Sequence, residues 1–470
     1  MRRPIGIKLR MTKGEFFWQY GLPHSMRQKG LPMATIPHLA SAMQTVLGDV
    51  ADATARATGF VQRTSKLTGA KFVQTLVWGW LANGDSTLDE LTQMAINTGV
   101  QITPQGLDAR FTPEAAACLA QVLAAAVRHL ISAEGGTPTL LDRFTGVYAL
   151  DSTTIALPDA LAASWAGCGN GQGGSQATLK AQVRWELRRG TLEGPLLQPG
   201  RAHDRTSPLQ DAPLPRGSLR LADLGYFNLG LFADLDRQGV YWISRLQMGT
   251  AVYAADGQPV ALAQLLTEQC QSELDLPVRV GKGQDLACRL VAQPVPAEVA
   301  QERRRKLRVE ARQRGQTVSA ARLRLADWTF YLTNLPVSLL SWAEVFVLAR
   351  LRWQVELLFK LWKSHGQIDT SRSAKPWRIL CEVYAKLLAM LVQHWLLLTG
   401  CWQVPNRSLV KAAKLVAKYA CALACALENK AALRRLLRHL ATCLAHGCRM
   451  NSRCSKPNSY QLIAQAGGLA

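Results

Sequence analysis

The chain changes from helical to strand-like patterning at the run Val147-Tyr148-Ala149-Leu150-Asp151-Ser152-Thr153-Thr154 (147–154). Its first four residues are apolar or aromatic and favour extended structure, and a polar cluster follows them. An apolar run of this length that ends on polar residues is typical of a buried strand. We therefore predict a strand that ends at Asp151, which places a carboxylate at the edge of a sheet.

The elements that follow continue this strand-rich pattern. They come in the order hairpin or meander, strand, helix and strand, over residues 178–198, 218–222, 229–238 and 240–246. The second of these elements is a short apolar run that ends at Asp223. This order predicts a mixed α/β domain of the RNase H-like type, in which the first and the fourth strands lie side by side. That adjacency would bring Asp151 and Asp223 together.

Residues 36–132 carry a helical pattern with clear start signals. Thr87 and Glu90 form a capping box, and Thr103-Pro104 and Thr112-Pro113 each place proline at a first helical position. We therefore expect a helical region before the α/β domain, preceded by a loose basic extension over residues 1–35.

The segment 88–111 has the proportions of a helix-turn-helix, with a turn at Asn97-Thr98-Gly99. A helix-turn-helix would place residues such as Gln105, Asp108 and Arg110 in a DNA major groove. An ordinary helical hairpin within a bundle fits the same pattern, and both interpretations stay open.

Residues 248–335 combine short strand-like runs with a strongly basic stretch. That stretch begins at Arg303-Arg304-Arg305 and continues to Arg324. A run of charge on a helix is usually a solvated face, and we expect a helix here. The excess of one sign also fits a surface that contacts DNA phosphates.

The run Ala349-Arg350-Leu351-Arg352-Trp353-Gln354-Val355-Glu356-Leu357-Leu358-Phe359-Lys360-Leu361-Trp362-Lys363 (349–363) begins a helical region that continues nearly to the end of the chain. Helical spacing predicts that Arg352, Glu356 and Lys363 lie close to one stripe. A carboxylate between two cations could bind a metal ion beside DNA phosphates. The alternative is an ion-paired surface face beside a core stripe of Trp353, Leu357, Phe359 and Leu361.

Three acidic residues are candidates for one site. Asp151 and Asp223 follow strands, and Glu356 lies on a helix far downstream. If the three converge, they form an all-oxygen site suited to two Mg²⁺ ions, one activating a water or a 3′-hydroxyl and the other stabilising the leaving oxygen. For any one of these residues, a turn or a helix cap is an equally good explanation.

The composition favours a polyanionic partner. The 470 residues include 55 Lys and Arg against 33 Asp and Glu, a net charge of +22, so nucleic acid is the expected ligand. A ribosomal-type binder or a membrane-surface protein would share this charge. The eleven scattered cysteines and the lack of an apolar leader after Met1 indicate a reducing cytoplasm.

Two C-terminal features allow alternative interpretations. The apolar run 387–398 is broken by Gln393 and His394 and is too short to cross a bilayer, so we expect a buried helix and no membrane span. The cluster of His439, Cys443, His446, Cys448 and Cys454 contains zinc-type ligands. Its spacing matches no standard zinc finger, and cysteines are also common in helix cores.

Four segments carry a resemblance to a known family. They are Leu150-Asp151-Ser152-Thr153, Ala222-Asp223-Leu224-Gly225-Tyr226-Phe227, Leu332-Thr333-Asn334-Leu335 and Arg352-Trp353-Gln354-Val355-Glu356-Leu357-Leu358-Phe359-Lys360. From about residue 70 to 400 the chain resembles DDE transposases of bacterial insertion sequences, in the family with a Tyr-Arg-Glu-Lys signature. Arg352, Glu356 and Lys363 match the signature spacing, whereas Ala349 stands at the Tyr position.

The resemblance implies a metal-dependent enzyme that cleaves DNA and transfers strands. It implies that Asp151, Asp223 and Glu356 hold two Mg²⁺ ions, for which Mn²⁺ can substitute, and that Arg352, Lys360 and Lys363 bind DNA phosphates. The implied partners are terminal inverted repeats, target DNA and a second copy of the chain in a synaptic complex. The implied location is the cytoplasm, in association with the nucleoid.

The resemblance also implies a division of the chain. The expected parts are a helical DNA-binding region over 36–140, a catalytic domain over 141–247 plus 336–400, a β-rich insertion over 248–335 and a helical region over 401–470. Trp328 in the insertion is a candidate to stack on a displaced base. His203-Asp204 looks like a recurring element of the family, without a role that the sequence explains.

Two other functions fit the same residues. A nuclease on the RNase H-like fold would cleave DNA without joining it to a new molecule. An inactive, element-derived DNA-binding protein would bind DNA without metal-dependent cleavage, and Ala349 at the signature Tyr position is compatible with that alternative.

Overall fold

The computed structural model describes residues 35–133, 139–169, 176–268, 273–283, 286–451 and 459–467. The extension predicted over 1–35 lies outside these ranges except for residue 35, and so does Cys454 of the C-terminal cluster. In the described ranges, helices precede and follow a large mixed sheet. The α/β class predicted from the sequence is confirmed.

The part that precedes the sheet is helical. Its helices are α1 (Ile36–Gln44), α2 (Ala51–Ala57), α3 (Gly69–Ala82), α4 (Leu88–Asn97), α5 (Pro104–Asp108), α6 (Pro113–Val127) and α7 (Thr139–Asp142), with a π-helical turn over Thr45–Val50 between the first two. The predicted capping box of Thr87 and Glu90 is present, and Pro104 and Pro113 occupy first helical positions. The start signals in the sequence therefore locate these helices correctly.

The helix pair α4–α5 has features of a packed hairpin. Helix α5 is only five residues long. The carboxylate of Asp108 forms ion pairs with Lys375 at 2.5 Å and Arg378 at 3.0 Å, so it is engaged inside the protein. Arg110 is exposed. The single-turn second helix and the paired Asp108 favour the helical hairpin over the helix-turn-helix reader.

The described strands form one sheet of nine. They are β1 (Val147–Leu157), β2 (Ala177–Glu186), β3 (Leu192–Pro199), β4 (Leu219–Ala222), β5 (Tyr241–Arg245), β6 (Val252–Ala254), β7 (Leu274–Val280), β8 (Leu286–Pro294) and β9 (Trp328–Thr333). Their order across the sheet is β3-β2-β1-β4-β5-β9-β8-β7-β6. Strands β2 and β3 form the predicted antiparallel hairpin, and β1 lies beside β4 in parallel, as expected for the first and fourth strands.

The prediction that the first strand ends at Asp151 is wrong. Strand β1 continues to Leu157, because its second half pairs antiparallel with β2 over Asp151↔Val183 to Leu157↔Ala177. The parallel pairing with β4, however, stops at Leu150↔Ala222. Asp151 is therefore the first residue beyond the parallel ladder and keeps its place beside Asp223.

The strands between residues 248 and 335 extend the same sheet. Strand β9 returns to pair antiparallel with β5, and β8, β7 and β6 follow outward from it. The apolar side chains of this half form a core cluster of their own, which includes Trp242, Phe232 and Leu290. The helices of the middle part are α8 (Pro208–Asp211), α9 (Leu229–Arg237), α10 (Leu262–Glu268), α11 (Ala297–Gln313) and α12 (Ala320–Leu325).

The chain after β9 is helical. Its helices are α13 (Trp342–Leu351), α14 (Trp353–Ser364), α15 (Pro376–Leu398), α16 (Leu409–Lys418), α17 (Ala420–Ala426), α18 (Lys430–Gly447) and α19 (Ser459–Gly467). Helix α15 packs against α3 and α6, which joins the N-terminal helices to the sheet domain. Helix α14 packs against β1, so the position of Glu356 depends directly on the strand that carries Asp151.

Helix α15 is longer than the sequence pattern indicated. Proline at its start begins the helix at residue 376, and its 23 residues are long and apolar enough to cross a membrane. The prediction that the run is too short was therefore wrong. The apolar window is 94% buried inside the protein, however, as expected for a core helix.

The buried His394 of α15 gives a testable pH dependence. Its Nε2 lies 2.6 Å from the Gly190 carbonyl oxygen, and its Nδ1 has no partner among the described residues. Burial lowers the pKa of His394 from 6.5 to about 4; Gly190 opposes the shift, and Arg407 adds to it. The unfolded chain takes up the proton near pH 6.5, so this contribution to stability is full above that pH and is lost as the pH falls towards 4.

Lowering the pH from 7 to 5 should therefore cost about 2 kcal/mol of unfolding free energy through His394. Urea unfolding of the wild type and of His394→Gln at both pH values measures this loss. The variant, which keeps a donor for Gly190, should lose less stability than the wild type by that amount. Equal losses in the two proteins would contradict the assignment.

Candidate active site

Asp151 and Asp223 lie next to each other at one edge of the parallel strand pair. Asp151 follows the last β1–β4 pair, and Asp223 precedes a 3₁₀ turn over Leu224–Tyr226. Leu150, Ala222 and Tyr226 pack together beneath them. The side chain of Asp151 is largely buried, whereas that of Asp223 is half exposed.

Glu356 reaches the two aspartates through Arg352. Arg352 joins α13 to α14 with helical backbone angles, and Glu356 lies one turn further along. The guanidinium contacts Asp151 (Nη1 to Oδ2, 3.3 Å), Asp223 (Nε to Oδ1, 4.0 Å) and Glu356 (Nη2 to Oε1). One cation therefore draws together three carboxylates that are up to 205 residues apart in the chain.

The electrostatics of this group follow from burial and close charges. Burial raises the pKa of Asp151 to about 6; its bond to the Ser152 amide and Arg352 oppose the rise, and Asp223 and Glu356 add to it. Burial alone would lower the pKa of Arg352, but the three carboxylates outweigh it and raise that pKa. Arg352 is therefore the counter-ion that allows three acidic groups to share this edge of the sheet.

The donor chemistry of the three carboxylates fits a hard cation such as Mg²⁺. Their oxygens face Arg352 rather than one another, and within the described part of the chain no three acidic, His or Cys side chains stand ready to ligate a common ion. The guanidinium therefore supplies the positive charge that the carboxylates need. Direct ligation of a metal requires Arg352 to give up its bonds to Asp151 and Glu356.

A cavity of about 530 Å³ opens beside the carboxylates. Its lining includes Asp151, Glu356, Lys360 and Lys363. Lys363 Nζ donates to the Thr154 carbonyl oxygen at 3.1 Å, which fixes it near β1, and Lys360 is exposed. The two lysines and two of the carboxylates thus line one open cleft.

The proposed core stripe of α14 is wrong for two of its four residues. The exposed fractions of Trp353 and Leu357 are 53% and 38%, whereas Phe359 and Leu361 are buried. The buried face instead includes Val355, Leu358, Phe359 and Trp362 at positions i, i+3, i+4 and i+7. The ion-paired group of Arg352 and Glu356 is part of a cleft, and not of a plain surface face.

A second cavity, of about 440 Å³, lies on the other side of Glu356. It is lined by Ala349, Arg350, Arg352, Trp353 and, from the sheet, Arg245 and Tyr331. Sequence reasoning missed Arg245 and Tyr331, which are paired across β5 and β9. The sequence shows that both residues lie on strands, but it cannot show which cleft a strand faces.

Trp328 is not among the described residues that line either cavity. It begins β9 and packs against the core cluster of the outer half of the sheet. Because side chains alternate along a strand, Trp328 and Tyr331 point to opposite faces. Stacking of Trp328 on a base stays a prediction that this geometry does not support.

The predicted basic stretch spans helices α11 and α12, and its first arginines have partners inside the protein. Arg303 donates to the Trp328 carbonyl oxygen at 2.9 Å, and Arg304 pairs with Asp327 at 2.9 Å. Arg305 pairs with Glu302 on its own helix. These contacts fasten α11 to the start of β9. Arg110 and these three arginines are not among the residues that line the two cavities beside Glu356.

Asp204 has a clear structural role beside the site. One of its oxygens, Oδ1, accepts hydrogen bonds from Ser152 (3.1 Å), Lys180 (3.1 Å) and Gln182 (3.2 Å). Its other oxygen would lie 3.2 Å from a Cβ placed on Gly225, two residues after Asp223. Asp204 therefore touches the segments that follow both catalytic-candidate aspartates.

Two aspartates beside a parallel strand pair and a glutamate on a helix define the class of DDE enzymes. Residues 142–392, from the end of α7 into the core helix α15, match the family model described as Transposase DDE domain. The chain therefore belongs to the DDE transposases of bacterial insertion sequences.

Relatives agree with this membership. The transposase for insertion sequence element IS231B of Bacillus thuringiensis subsp. berliner is 28% identical over 360 residues, covering 72% of this chain and 75% of the relative. The transposase for IS1151 of Clostridium perfringens is 25% identical over 371 residues, covering 73% of this chain and 76% of the relative. The putative transposase InsL for IS186A of Escherichia coli K12 is 36% identical over 107 residues, covering 23% of this chain and 29% of the relative.

Proposed function

We propose that this protein is a transposase that binds the terminal inverted repeats of its own insertion sequence, cleaves DNA there and joins the freed 3′-hydroxyl to target DNA. The convergence of Asp151, Asp223 and Glu356 on Arg352 is the observation that carries the proposal. Similarity to transposases for insertion sequence elements supports it.

Asp151, Asp223 and Glu356 would hold two Mg²⁺ ions, for which Mn²⁺ can substitute. Such ions activate a water or a 3′-hydroxyl as the nucleophile and stabilise the leaving oxygen. Arg352 keeps the three carboxylates close in the absence of DNA. When it gives up those bonds, its guanidinium can pair with the scissile phosphate and offset the charge that develops there.

The lysines of the first cavity would position the DNA strand. Lys363 has its amino group between the Thr154 carbonyl oxygen and Asp369, so it is held over the cleft. Lys360 lies one turn earlier on α14 and is free to follow a phosphate. Both would bind phosphates that flank the scissile bond, without reading sequence.

Cleavage of two ends and their joint insertion require two active sites, so we infer a homodimer in a synaptic complex. We also infer that residues 36–140 contribute to end binding, that residues 141–247 and 336–400 form the catalytic domain, and that residues 248–335 and 401–470 act as attached regions. An association with the nucleoid follows from DNA as the substrate.

Product analysis tests the proposal. Purified protein is incubated with Mg²⁺, a duplex that carries the inverted repeat and a supercoiled target plasmid, and the products are sequenced. A transposase joins the end duplex to the plasmid. Nicks or breaks without joining would indicate a nuclease, and DNA binding without cleavage in Mg²⁺ or Mn²⁺ would indicate an inactive copy. Either result would overturn the proposal.

A further inference from the structure

The C-terminal region carries a charge that the active site does not use. Residues 401–470 contain eleven lysines and arginines and a single acidic residue, Glu428. Glu428 is itself paired with Lys71 of α3. Nearly half of the net charge of +22 therefore comes from the last 70 residues. A surface of this composition repels cations and attracts a polyanion.

Four exposed cations of this region, Lys414, Lys418, Arg435 and Arg438, lie on helices that lead away from the first cavity. Helix α14 packs against α16, and Lys414 of α16 lies close enough to His365, just after α14, to lower its pKa in addition to the effect of burial. Lys418 follows one turn later on α16. Both lysines are exposed.

The path continues onto α18. Tyr419, next to Lys418, accepts or donates a hydrogen bond of 3.0 Å with His439 of α18. Arg435 and Arg438 lie within one turn of His439 and are exposed. No ion pair of Lys414, Lys418, Arg435 or Arg438 occurs among the described residues, in contrast to the paired arginines of α11.

We propose that Lys414, Lys418, Arg435 and Arg438 form a basic track that binds the backbone of a DNA duplex continuing from the catalytic cleft. Unpaired, exposed cations on packed helices suit phosphates, because no internal ion pair must be broken to bind them. The track contacts phosphates only, so it adds affinity without sequence preference. This inference rests on the proposed action on DNA and names the surface that extends it.

The test is DNA affinity as a function of salt. The track variant is the full chain with four substitutions, Lys414→Gln, Lys418→Gln, Arg435→Gln and Arg438→Gln. Fluorescence anisotropy measures its binding to a 40-bp end duplex and to a 40-bp duplex of unrelated sequence. Each lost phosphate contact should make the slope of log K against log salt shallower by about 0.9. We expect the slope to change by the amount that corresponds to at least two lost phosphate contacts, and to change equally on both duplexes.

The control neutralises an exposed cation that already has a partner on its own helix. Arg237 pairs with Asp234. Arg237→Gln should leave the slope near the wild-type value. An unchanged slope in the track variant, with tight wild-type binding, would overturn the track alone. Absence of DNA binding by the wild type would instead overturn the proposed function.

A second, independent observation concerns Asp204. Its contacts connect Lys180 and Gln182 of β2 with Ser152, whose amide donates to Asp151 at 2.8 Å. The other carboxylate oxygen of Asp204, Oδ2, lies beside Gly225, two residues after Asp223. Asp204 therefore joins the two segments on which the paired aspartates depend, and it forms an ion pair with Lys180.

We infer that Asp204 is a positioning residue that fixes Asp151 and Asp223 for metal binding. This inference rests on the proposed metal site. In Asp204→Ala, the Mg²⁺ concentration at half of the metal-induced rise in Tm should increase at least tenfold, because the carboxylates lose their fixed spacing. Asp204→Asn keeps an acceptor for Ser152. Its Mg²⁺ concentration at half of the rise in Tm should therefore lie between those of the wild type and of Asp204→Ala.

The control for this experiment is Asp142→Asn, which changes an aspartate paired with Arg188 at the surface. It should keep the wild-type Mg²⁺ response. If Asp204→Ala lowers Tm but keeps that response, Asp204 is only structural. If Mg²⁺ does not raise Tm in the wild type, either alone or with the end duplex bound, the metal site itself is wrong, so the two failures are distinguishable.

Discussion

Glu356→Gln should reduce the rate of DNA cleavage at least about 10³-fold, while end binding stays within a factor of two. Removing one member of a group of catalytic residues that act as a unit lowers the rate by this much. The amide has the shape of the carboxylate and can still accept the bond from Arg352. It lacks the negative charge that holds a divalent cation. Cleavage is measured with Mg²⁺ on a labelled end duplex, and binding is measured by anisotropy.

Glu302→Gln is the matched control for this prediction. Glu302 is an exposed helical glutamate that also pairs with an arginine on its own helix, Arg305. The Glu302→Gln variant should cleave DNA at the wild-type rate. Wild-type nicking by Glu356→Gln would remove Glu356 from the site, and equal losses in both variants would indicate a non-specific effect of the substitution.

Replacing Arg352 should give the second largest loss of DNA cleavage. We expect Arg352→Ala to lower cleavage about 10²- to 10³-fold, the range found when one group that stabilises transition-state charge is removed. Arg352→Lys should recover little of this, because a single ammonium group cannot serve Asp151, Asp223 and Glu356 as the guanidinium does. Full activity of Arg352→Lys would contradict the need for the planar group.

Stability measurements separate the roles of Arg352. Without it, three carboxylates face one another with no counter-ion, so Tm of the metal-free Arg352→Ala protein should fall and the rise in Tm on adding Mg²⁺ should be larger than in the wild type. Arg350→Ala, which removes a neighbouring arginine that lines the second cavity, is the control. It should keep the wild-type rise.

The adjacency of Asp151 and Asp223 could be predicted because it follows from the order of the strands. The length of β1 could also have been found, since Thr153, Ile155 and Leu157 are buried and alternate with less buried residues. The prediction ends the strand too early because residues 151–154 are polar. Their partners lie in β2, whose register the sequence does not display.

Other parts of the site depend on contacts between distant segments. The correct buried face of α14 was present as an i, i+3, i+4, i+7 pattern of Val355, Leu358, Phe359 and Trp362, but Trp353 and Leu357 are equally apolar. Only the packing of α14 on β1 shows that these two residues face outward. The bonds of Asp204 likewise require the register of β2 against β1.

Joining of a pre-cleaved end to target DNA tests the central claim most directly. Asp151→Asn, Asp223→Asn and Glu356→Gln are assayed singly and in pairs with Mg²⁺. If the three carboxylates form one metal site, each single variant should lose nearly all joining, and the pairs should be little worse than the singles, because the residues act as a unit. Losses that multiply in the pairs, or near-normal joining by any single variant, would contradict a shared catalytic site.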